Sequence, residues 1–157
     1  MTIIIRRATV ADAVVVAALN ADVQGLHAAA VPGEFKPPGP GSFTRRVAAA
    51  LLRKQEHLVF IADIGAEPAG YAAAEVIRRP ETPFKYAREM IYISHLSVRP
   101  QYRRRGVGTA LLAAVRGAGE EARITLMELD VWSFNKDARA FFRHQGFAPY
   151  NERLWNR

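Results

Sequence analysis

The sequence predicts an α/β (α+β) fold, a mixed and mostly antiparallel central sheet with helices on both faces. Apolar, β-branched runs of strand length alternate along the chain with segments of helical periodicity. The strand-like runs 57–64 and 71–78 are joined by a short turn with two glycines, as in an antiparallel hairpin. A later strand–helix–strand succession implies a crossover connection, which places a helix over the sheet.

Length and composition are those of one globular domain, expected over residues 1–157. Because the chain has no cysteine, a disulfide, a zinc–thiolate site and a cysteine nucleophile are excluded. No signal peptide and no apolar run of the ~20 residues that span a membrane is evident. We therefore expect a cytoplasmic protein with no membrane partner. Its 18 arginines against four lysines, with many alanines, suggest a GC-rich bacterial genome.

The net charge of +7 is compatible with a nucleic acid, an anionic membrane or an anionic cofactor as partner. The basic residues are scattered, except for Arg99 and the cluster at 103–105. A nucleic-acid groove would instead interleave basic residues with stacking aromatic side chains. A local phosphate site explains the distribution better, and we expect no nucleic-acid partner.

The elements follow from periodicity and from turn residues. Strands are predicted at 2–7, 57–64, 71–78, 89–98 and 124–132, with a final hairpin of 147–150 and 152–155. Helices are predicted at about 10–21, 42–54, 107–118 and 138–145. Residues 22–30 either extend the first helix or form a second short one. We expect Ser42 to cap the second helix, Gly117 and Gly119 to end the third, and Gly146 to end the last.

The rest of the chain is organised around the stretch 95–115. Pro100 ends a buried strand, a basic turn carries Gly106 and Gly108, and an amphipathic helix follows. The first N–H groups of a helix are unpaired and the helix dipole is positive there, so glycines let an anion approach closely. The stretch predicts a phosphate or pyrophosphate site. By itself it also fits a tight turn with a solvated arginine cluster.

Two ordered motifs resemble the GCN5-related N-acetyltransferase (GNAT) superfamily. The first is R-x-x-G-x-G at 103–108, after a strand that ends with L-x-V at 96–98. The second is N-x-x-A-x-x-F-F at 135–142, followed by G-F at 146–147. The resemblance covers nearly the whole chain and implies the acyl-CoA N-acyltransferase (GNAT) fold.

The resemblance further implies an N-acetyltransferase that uses acetyl-CoA as co-substrate and needs no metal. The acetyl group would pass to a primary amine of a small molecule or a protein by direct attack in a ternary complex, and a homodimer is compatible with this family. The residues that the resemblance assigns to acetyl-CoA are Leu96, Ser97, Val98, Arg103, Arg104, Arg105, Gly106, Val107, Gly108, Thr109, Asn135, Ala138 and Phe142. From the close approach expected at Gly108, Gly108→Glu should abolish cofactor binding without unfolding the chain.

Phe142 departs from the family pattern. The family commonly has a tyrosine there, whose hydroxyl protonates the leaving thiolate, and phenylalanine has no proton to give. A thiolate with a thiol pKa of ~8.5 leaves fairly well without help. The alternative function is a non-catalytic sensor that binds acyl-CoA.

The catalytic candidates are Ser94, His95 and Glu75. Some family members carry a carboxylate or histidine base on the fourth strand, where Tyr92 and Ser94 match. His95 has a suitable ordinary pKa of ~6.5, but strict alternation puts it on the opposite face unless a β-bulge re-aims it. Glu75 is the nearest carboxylate on the third strand. The ordinary alternatives are a solvent-facing charge for Glu75 and a hydrogen-bonded, partly buried histidine for His95.

The acceptor site is expected beside residues 31–41, which contain four prolines and three glycines and therefore form a loop. In the family, the loop after the first helix borders the acceptor. His27 and Phe35 flank or lie within this loop, and with Tyr92 they are the candidate acceptor-binding residues. The loop could equally be an ordinary surface connection.

Overall fold

The computed structural model describes residues 1–156. Its strands are β1 (Ile3–Arg7), β2 (His57–Ile64), β3 (Glu67–Arg79), β4 (Arg88–Val98) and β5 (Met127–Leu129). Its α-helices are α1 (Ala13–Ala30), α2 (Arg45–Leu52), α3 (Val107–Glu121) and α4 (Lys136–His144), with 3₁₀ turns at Val10–Asp12 and Pro100–Tyr102.

The five strands form one sheet in the order β1-β2-β3-β4-β5. The first four strands pair antiparallel, and β4 pairs with β5 in parallel. One hydrophobic core joins the sheet to α3 through Ile91, Leu111 and Val115, and a second joins the other face to α1 and α2 through Val16 and Ile61. The predicted mixed sheet with helices on both faces is confirmed.

The first helix is longer than its apolar stripe at 10–21 predicts. Residues 22–30 continue α1 as one helix, so the extension alternative is the correct one. By length and composition alone, Val10–Ala30 could cross a membrane. Core helices of soluble proteins meet the same criteria, and α1 packs on the sheet through Ala13, Val16 and Leu19.

Several predicted helix ends are wrong, one for a local reason and one for a packing reason. Thr44 rather than Ser42 caps α2, since its side chain accepts a hydrogen bond from the Val47 amide. Gly117 and Gly119 lie inside α3, which continues to Glu121. A Cβ on Gly119 would lie 2.7 Å from the Ile124 carbonyl oxygen, so this glycine allows close packing rather than ending the helix.

The C-terminal part of the chain has less strand than predicted. The predicted strand 124–132 is reduced to β5, which pairs with β4 over three residues only. The predicted hairpin of 147–150 and 152–155 is absent from residues 1–156. Residues 148–156 are exposed throughout, so a strand there would bury no apolar face to offset its conformational entropy.

Candidate active site

The pairing of β4 with β5 stops before β4 ends, and the stretch beyond it is the opening between the two strands. Their pairing ends at Ile93 and Leu129, whereas β4 continues to Val98. Leu96 and Val98 pack against the α3 core, and the buried Ser97 hydroxyl donates a hydrogen bond to the Leu19 carbonyl oxygen at 2.7 Å. The side chains of 96–98 are thus used in packing, and their contribution to a ligand would come from the main chain on the side that faces away from β3.

The turn between β4 and α3 has the geometry of an anion site. Arg104 and Gly106 adopt left-handed backbone conformations, with φ of 62° and 84°. Gly106 is the N-cap of α3, and no side chain caps the helix, so its first amides remain available. The Arg104 and Arg105 side chains are exposed, while the Arg103 Nε donates to the Val98 carbonyl oxygen at 3.1 Å. Val107 is buried in the core, so only its main chain faces the turn.

Gly108 has a packing role that the sequence does not reveal. A Cβ at this position would lie 3.3 Å from Cζ of Phe141 and 3.9 Å from Cγ2 of Val98. Any side chain at 108 must therefore displace the Phe141 ring where α4 packs against α3. The expectation that Gly108→Glu leaves the fold undisturbed is not supported, because the substitution would perturb packing and charge together.

The second motif shapes α4 and its ends. The Asn135 side-chain oxygen accepts a hydrogen bond from the Ala138 amide at 3.1 Å and so caps the helix. Gly146, with φ of 89°, closes it as predicted, and the Phe147 amide donates to the Phe142 carbonyl oxygen. The Phe142 ring packs edge-on against Phe141 and Phe147, 5.2 and 5.6 Å between ring centroids. The second motif therefore determines where α4 begins and ends and how its aromatic side chains pack.

A β-bulge in β4 rearranges the side chains near this opening. Ala73 of β3 pairs with His95 and Ala74 pairs with Ile93, which leaves Ser94 as the extra residue. The Ser94 hydroxyl donates to the Ala73 carbonyl oxygen at 3.1 Å. Ile93 packs on the α3 core, but beyond the bulge His95 lies on the α1–α2 face. His95 therefore shares a face with Tyr92, as the sequence allowed only if a bulge were present.

His95 ends a chain of buried polar groups. Its Nδ1 lies 2.7 Å from the Tyr71 hydroxyl, to which the Asn20 side-chain nitrogen donates at 2.8 Å. Tyr71 is fully buried, which raises the pKa of its hydroxyl. Burial lowers the pKa of His95 to about 4, and the nearby His57 adds to the shift. The ordinary pKa assumed from the sequence does not hold, and His95 is uncharged at neutral pH.

The depressed pKa of His95 makes folding stability depend on pH. The unfolded chain holds a proton at His95 below its ordinary pKa of 6.5, whereas the folded chain takes one up only near pH 4. Between these values acidification favours the unfolded state, and from pH 7 to pH 5 we expect the contribution of His95 to the unfolding free energy to fall by about 2 kcal/mol. Urea unfolding at both pH values measures the fall. In His95→Gln the part of the pH dependence that comes from His95 should be absent. An equal fall in the variant would refute the assignment.

Glu75 and Tyr92 lie opposite each other on neighbouring strands of the same face. Glu75 is partly exposed, and its carboxylate lies 3.3 Å from Nε2 of His57 on β2. The Tyr92 hydroxyl donates to Asp130 at 2.8 Å, and burial together with this carboxylate raises its pKa to about 12. Glu75, Tyr92 and His95 are therefore brought onto one face, while Ser94 is held by the β3 main chain.

An aromatic cluster encloses the end of α1. His27 lies 4.9 Å from Phe35 and 5.6 Å from Phe134 between ring centroids, and Phe35 lies 4.9 Å from Trp132. Trp155 joins the cluster 5.6 Å from Trp132. The proline-rich loop, the segment after β5 and the C-terminal segment thus meet at the two candidate acceptor residues.

Sequence reasoning missed the residues that complete these arrangements, namely Asn20, His57, Tyr71, Asp130, Trp132 and Phe134. Asn20 carried a weak signal, as a polar residue in an otherwise apolar helical run. The others depend on the sheet register and on loop packing. Within residues 1–156, no group of three His, Cys, Asp or Glu side chains could hold a metal ion.

Comparisons with known proteins give concordant results. The model of the acetyltransferase (GNAT) family matches residues 23–147. The chain is 32% identical over 100 residues to the uncharacterized N-acetyltransferase MJ1207 of Methanocaldococcus jannaschii, over 62% of this chain and 42% of that protein. The match therefore spans less than half of that relative.

Two solved structures have a similar fold. A tetramutant of the BH1408 protein from Bacillus halodurans superimposes with a TM-score of 0.90 at 25% identity, over 98% of this chain and 99% of that chain. A predicted acetyltransferase from Clostridium acetobutylicum, solved with acetyl-CoA, superimposes with a TM-score of 0.73 at 18% identity, over 99% and 96% of the two chains.

Proposed function

The chain belongs to the acetyltransferase (GNAT) family, and from that premise we propose that it is an acetyl-CoA-dependent N-acetyltransferase. It transfers the acetyl group to a primary amine of a small molecule or a protein by direct attack in a ternary complex. The observation that carries the proposal is the uncapped N-terminus of α3 beside the opening between β4 and β5.

The phosphates are proposed to bind at the turn before α3. The free amides of residues 107–109 and the positive end of the helix dipole suit a pyrophosphate group, and Arg104 and Arg105 add positive charge. The left-handed Gly106 turns the chain so that its main chain can lie close to an anion. These features support acetyl-CoA as the donor.

The reaction joins the amine nitrogen to the acetyl carbonyl carbon and breaks the carbon–sulfur bond, so the sulfur leaves as a thiolate. The amine must first lose a proton, because an alkylammonium group has a pKa of about 10. Of the three catalytic candidates, Glu75 is the best supported as the group that takes this proton, directly or through water. Its carboxylate is partly exposed on the same face as Tyr92, whereas Ser94 bonds to the main chain and the pKa of His95 is low.

The acceptor is proposed to bind on the α1–α2 face. The aromatic cluster that contains His27 and Phe35 forms an apolar wall there, and Glu75 and Asp130 supply negative charge for a cationic amine. This distribution contrasts with the basic turn before α3. It separates an anionic donor from a cationic acceptor on one molecule.

Release of free thiol from acetyl-CoA in the presence of a panel of primary amines tests the proposed reaction. We expect thiol release with at least one amine, together with a product heavier than that amine by one acetyl group. Binding of acetyl-CoA without thiol release across small-molecule and peptide amines would favour the sensor alternative. That alternative is suggested by Phe142, which lacks the hydroxyl of the tyrosine common in the family.

Glu75→Gln is expected to lower kcat by about 100-fold, since general-base catalysis typically contributes at least this factor. The affinity for acetyl-CoA should not change, because Glu75 lies on the acceptor face. Steady-state kinetics with the best amine of the panel measures the effect. Glu56→Gln is the matched control, as Glu56 is an exposed carboxylate paired with Arg78. Equal rates for the two variants would exclude Glu75 as the base.

A further inference from the structure

A chain of three polar side chains, buried at Asn20 and Tyr71, reaches the proposed acceptor face at the partly buried His95. It runs from Asn20 in α1 through Tyr71 in β3, with donor–acceptor distances of 2.8 and 2.7 Å. We propose that Asn20 and Tyr71 are positioning residues that keep the hydrogen of His95 on Nε2, so that His95 presents a hydrogen-bond donor rather than a base to the bound ligands.

With the Asn20 side-chain nitrogen as the donor to Tyr71, the hydrogen bonds imply one tautomer of His95. The Tyr71 oxygen accepts a hydrogen bond from the Asn20 side-chain nitrogen, so the hydroxyl hydrogen of Tyr71 must point elsewhere. The only other group of the described residues that bonds to this hydroxyl is Nδ1 of His95. Nδ1 is then an acceptor, and an uncharged imidazole carries its single hydrogen on Nε2. Among residues 1–156, Nε2 of His95 has no hydrogen-bond partner. This nitrogen is not fully enclosed either, so it is available to a ligand.

The surrounding groups hold this chain in place. The Ser97 hydroxyl bonds to the Leu19 carbonyl oxygen and so ties α1 to β4 next to Asn20. Phe43, from the segment before α2, packs edge-on against the His95 ring with 5.3 Å between centroids. Together with the bulge at Ser94, these contacts leave the imidazole little freedom to rotate.

The side-chain oxygen of Asn20 provides a second argument for the role of this residue. Only 4% of the residue is exposed, and its side-chain oxygen has no partner within the described part of the chain. A buried unpaired oxygen is destabilising, and an apolar residue of similar size would avoid this cost. An apolar residue at this position could not supply the N–H group that Asn20 donates to the Tyr71 hydroxyl.

The charge around His95 agrees with a donor role. His57 from β2 is the neighbour that disfavours protonation of His95, and His57 itself lies 3.3 Å from the carboxylate of Glu75 on β3. Tyr92 is the titratable group on the same face of β4, and Tyr71 faces the ring from β3. An uncharged donor can bind an oxygen atom of the acceptor or of the acetyl group without repelling a cationic amine. This role for His95 rests on the proposed acetyl transfer at the same face.

Imidazole ¹⁵N NMR of the full chain tests the tautomer without any need for activity. We expect the His95 signal, assigned by its loss in His95→Gln, to show hydrogen on Nε2 and none on Nδ1 from pH 8 down to about pH 5. Tyr71→Phe should produce a mixture of tautomers. Tyr92→Phe removes a hydroxyl from the same face, bonded to Asp130 instead, and should leave the His95 signal unchanged. Hydrogen on Nδ1 in the wild type would overturn the proposal, whether or not the variants fold.

Asn20→Asp tests the first link with a side chain of the same shape. At pH 8 a carboxylate would accept the Tyr71 hydrogen, and His95 would then donate from Nδ1 to the Tyr71 oxygen. The spectrum should therefore show the reversed tautomer. An unchanged tautomer in the folded variant would remove Asn20 from the proposal.

Kinetics separates a donor from a base. His95→Gln keeps an N–H group near the position of Nε2, and its kcat/KM for the amine should stay within about 3-fold of the wild type. His95→Leu should lose about 10-fold, as for one neutral hydrogen bond, with the KM for acetyl-CoA unchanged. Equal losses of about 100-fold in both variants would show that His95 is a base. If the wild type transfers no acetyl group, the proposed function fails, while the NMR result still decides the tautomer.

Discussion

Thr109→Glu is expected to weaken acetyl-CoA binding by about 1,000-fold without unfolding the protein. Thr109 is an exposed residue in the first turn of α3, where the pyrophosphate is proposed to bind. A carboxylate about 4 Å from a phosphate charge costs ~4 kcal/mol at an effective dielectric constant of 20. The same carboxylate interacts favourably with the helix dipole, so the midpoint temperature of thermal unfolding should be unchanged or slightly higher. Calorimetric titration with acetyl-CoA measures the loss of affinity.

Thr109→Gln is the matched control for this charge. Both variants lose the hydrogen bond that the Gln145 side-chain nitrogen donates to the Thr109 hydroxyl at 3.2 Å, and they differ only in charge at 109. We expect the glutamine variant to stay within about 5-fold of the wild type. This pair of variants isolates the effect of charge. A substitution of Gly108 would not, because a side chain there would also disturb the packing of Phe141. Similar affinity of the two variants would mean that no phosphate lies at this helix end.

Gly70→Ala is expected to destabilise the fold by about 3 kcal/mol. Gly70 is buried on β3, and a Cβ there would lie 2.5 Å from the Ser97 carbonyl oxygen and 3.2 Å from the Val98 Cα. These are main-chain atoms of β4, so they cannot move without disturbing the strand pair, and overpacking of this kind typically costs 1–3 kcal/mol or more. Denaturant unfolding measures the free energy.

Gly117→Ala serves as the opposite control. Gly117 lies inside α3, and no atom lies within 4 Å of the position that its Cβ would take. Alanine is favoured over glycine in a helix interior by up to ~1 kcal/mol, so this variant should be more stable than the wild type. A loss of stability at Gly117, or none at Gly70, would contradict the packing described for these two glycines.

Local patterns were sufficient for most of the sheet. The range predicted for β2, 57–64, matches the observed strand, and β4 begins one residue before the predicted 89–98. Alternating apolar residues and the prolines and glycines around them determine these boundaries. The prediction failed for the C-terminal segments, because whether they form strands depends on the segments with which they can pair. β5 keeps only the three residues that pair with β4, and residues 148–156 are exposed and pair with no strand.

The candidate site was predictable only where the chain forms it locally. The turn before α3 comes from consecutive residues, so Gly106 and the arginines at 103–105 could be recognised from the sequence. The link from Asn20 to Tyr71 joins residues 51 positions apart, and that from Tyr71 to His95 joins residues 24 apart. The sheet register and the bulge at Ser94 decide whether such side chains meet, and a single sequence does not specify either.

Calorimetric titration of the wild-type chain with acetyl-CoA tests the central claim most directly. The uncapped N-terminus of α3, the left-handed turn at Gly106 and the opening between β4 and β5 together predict saturable binding at one site in the micromolar range. Removing the pyrophosphate from the ligand should abolish the binding. An absence of binding with several hundred micromolar acetyl-CoA would contradict the account.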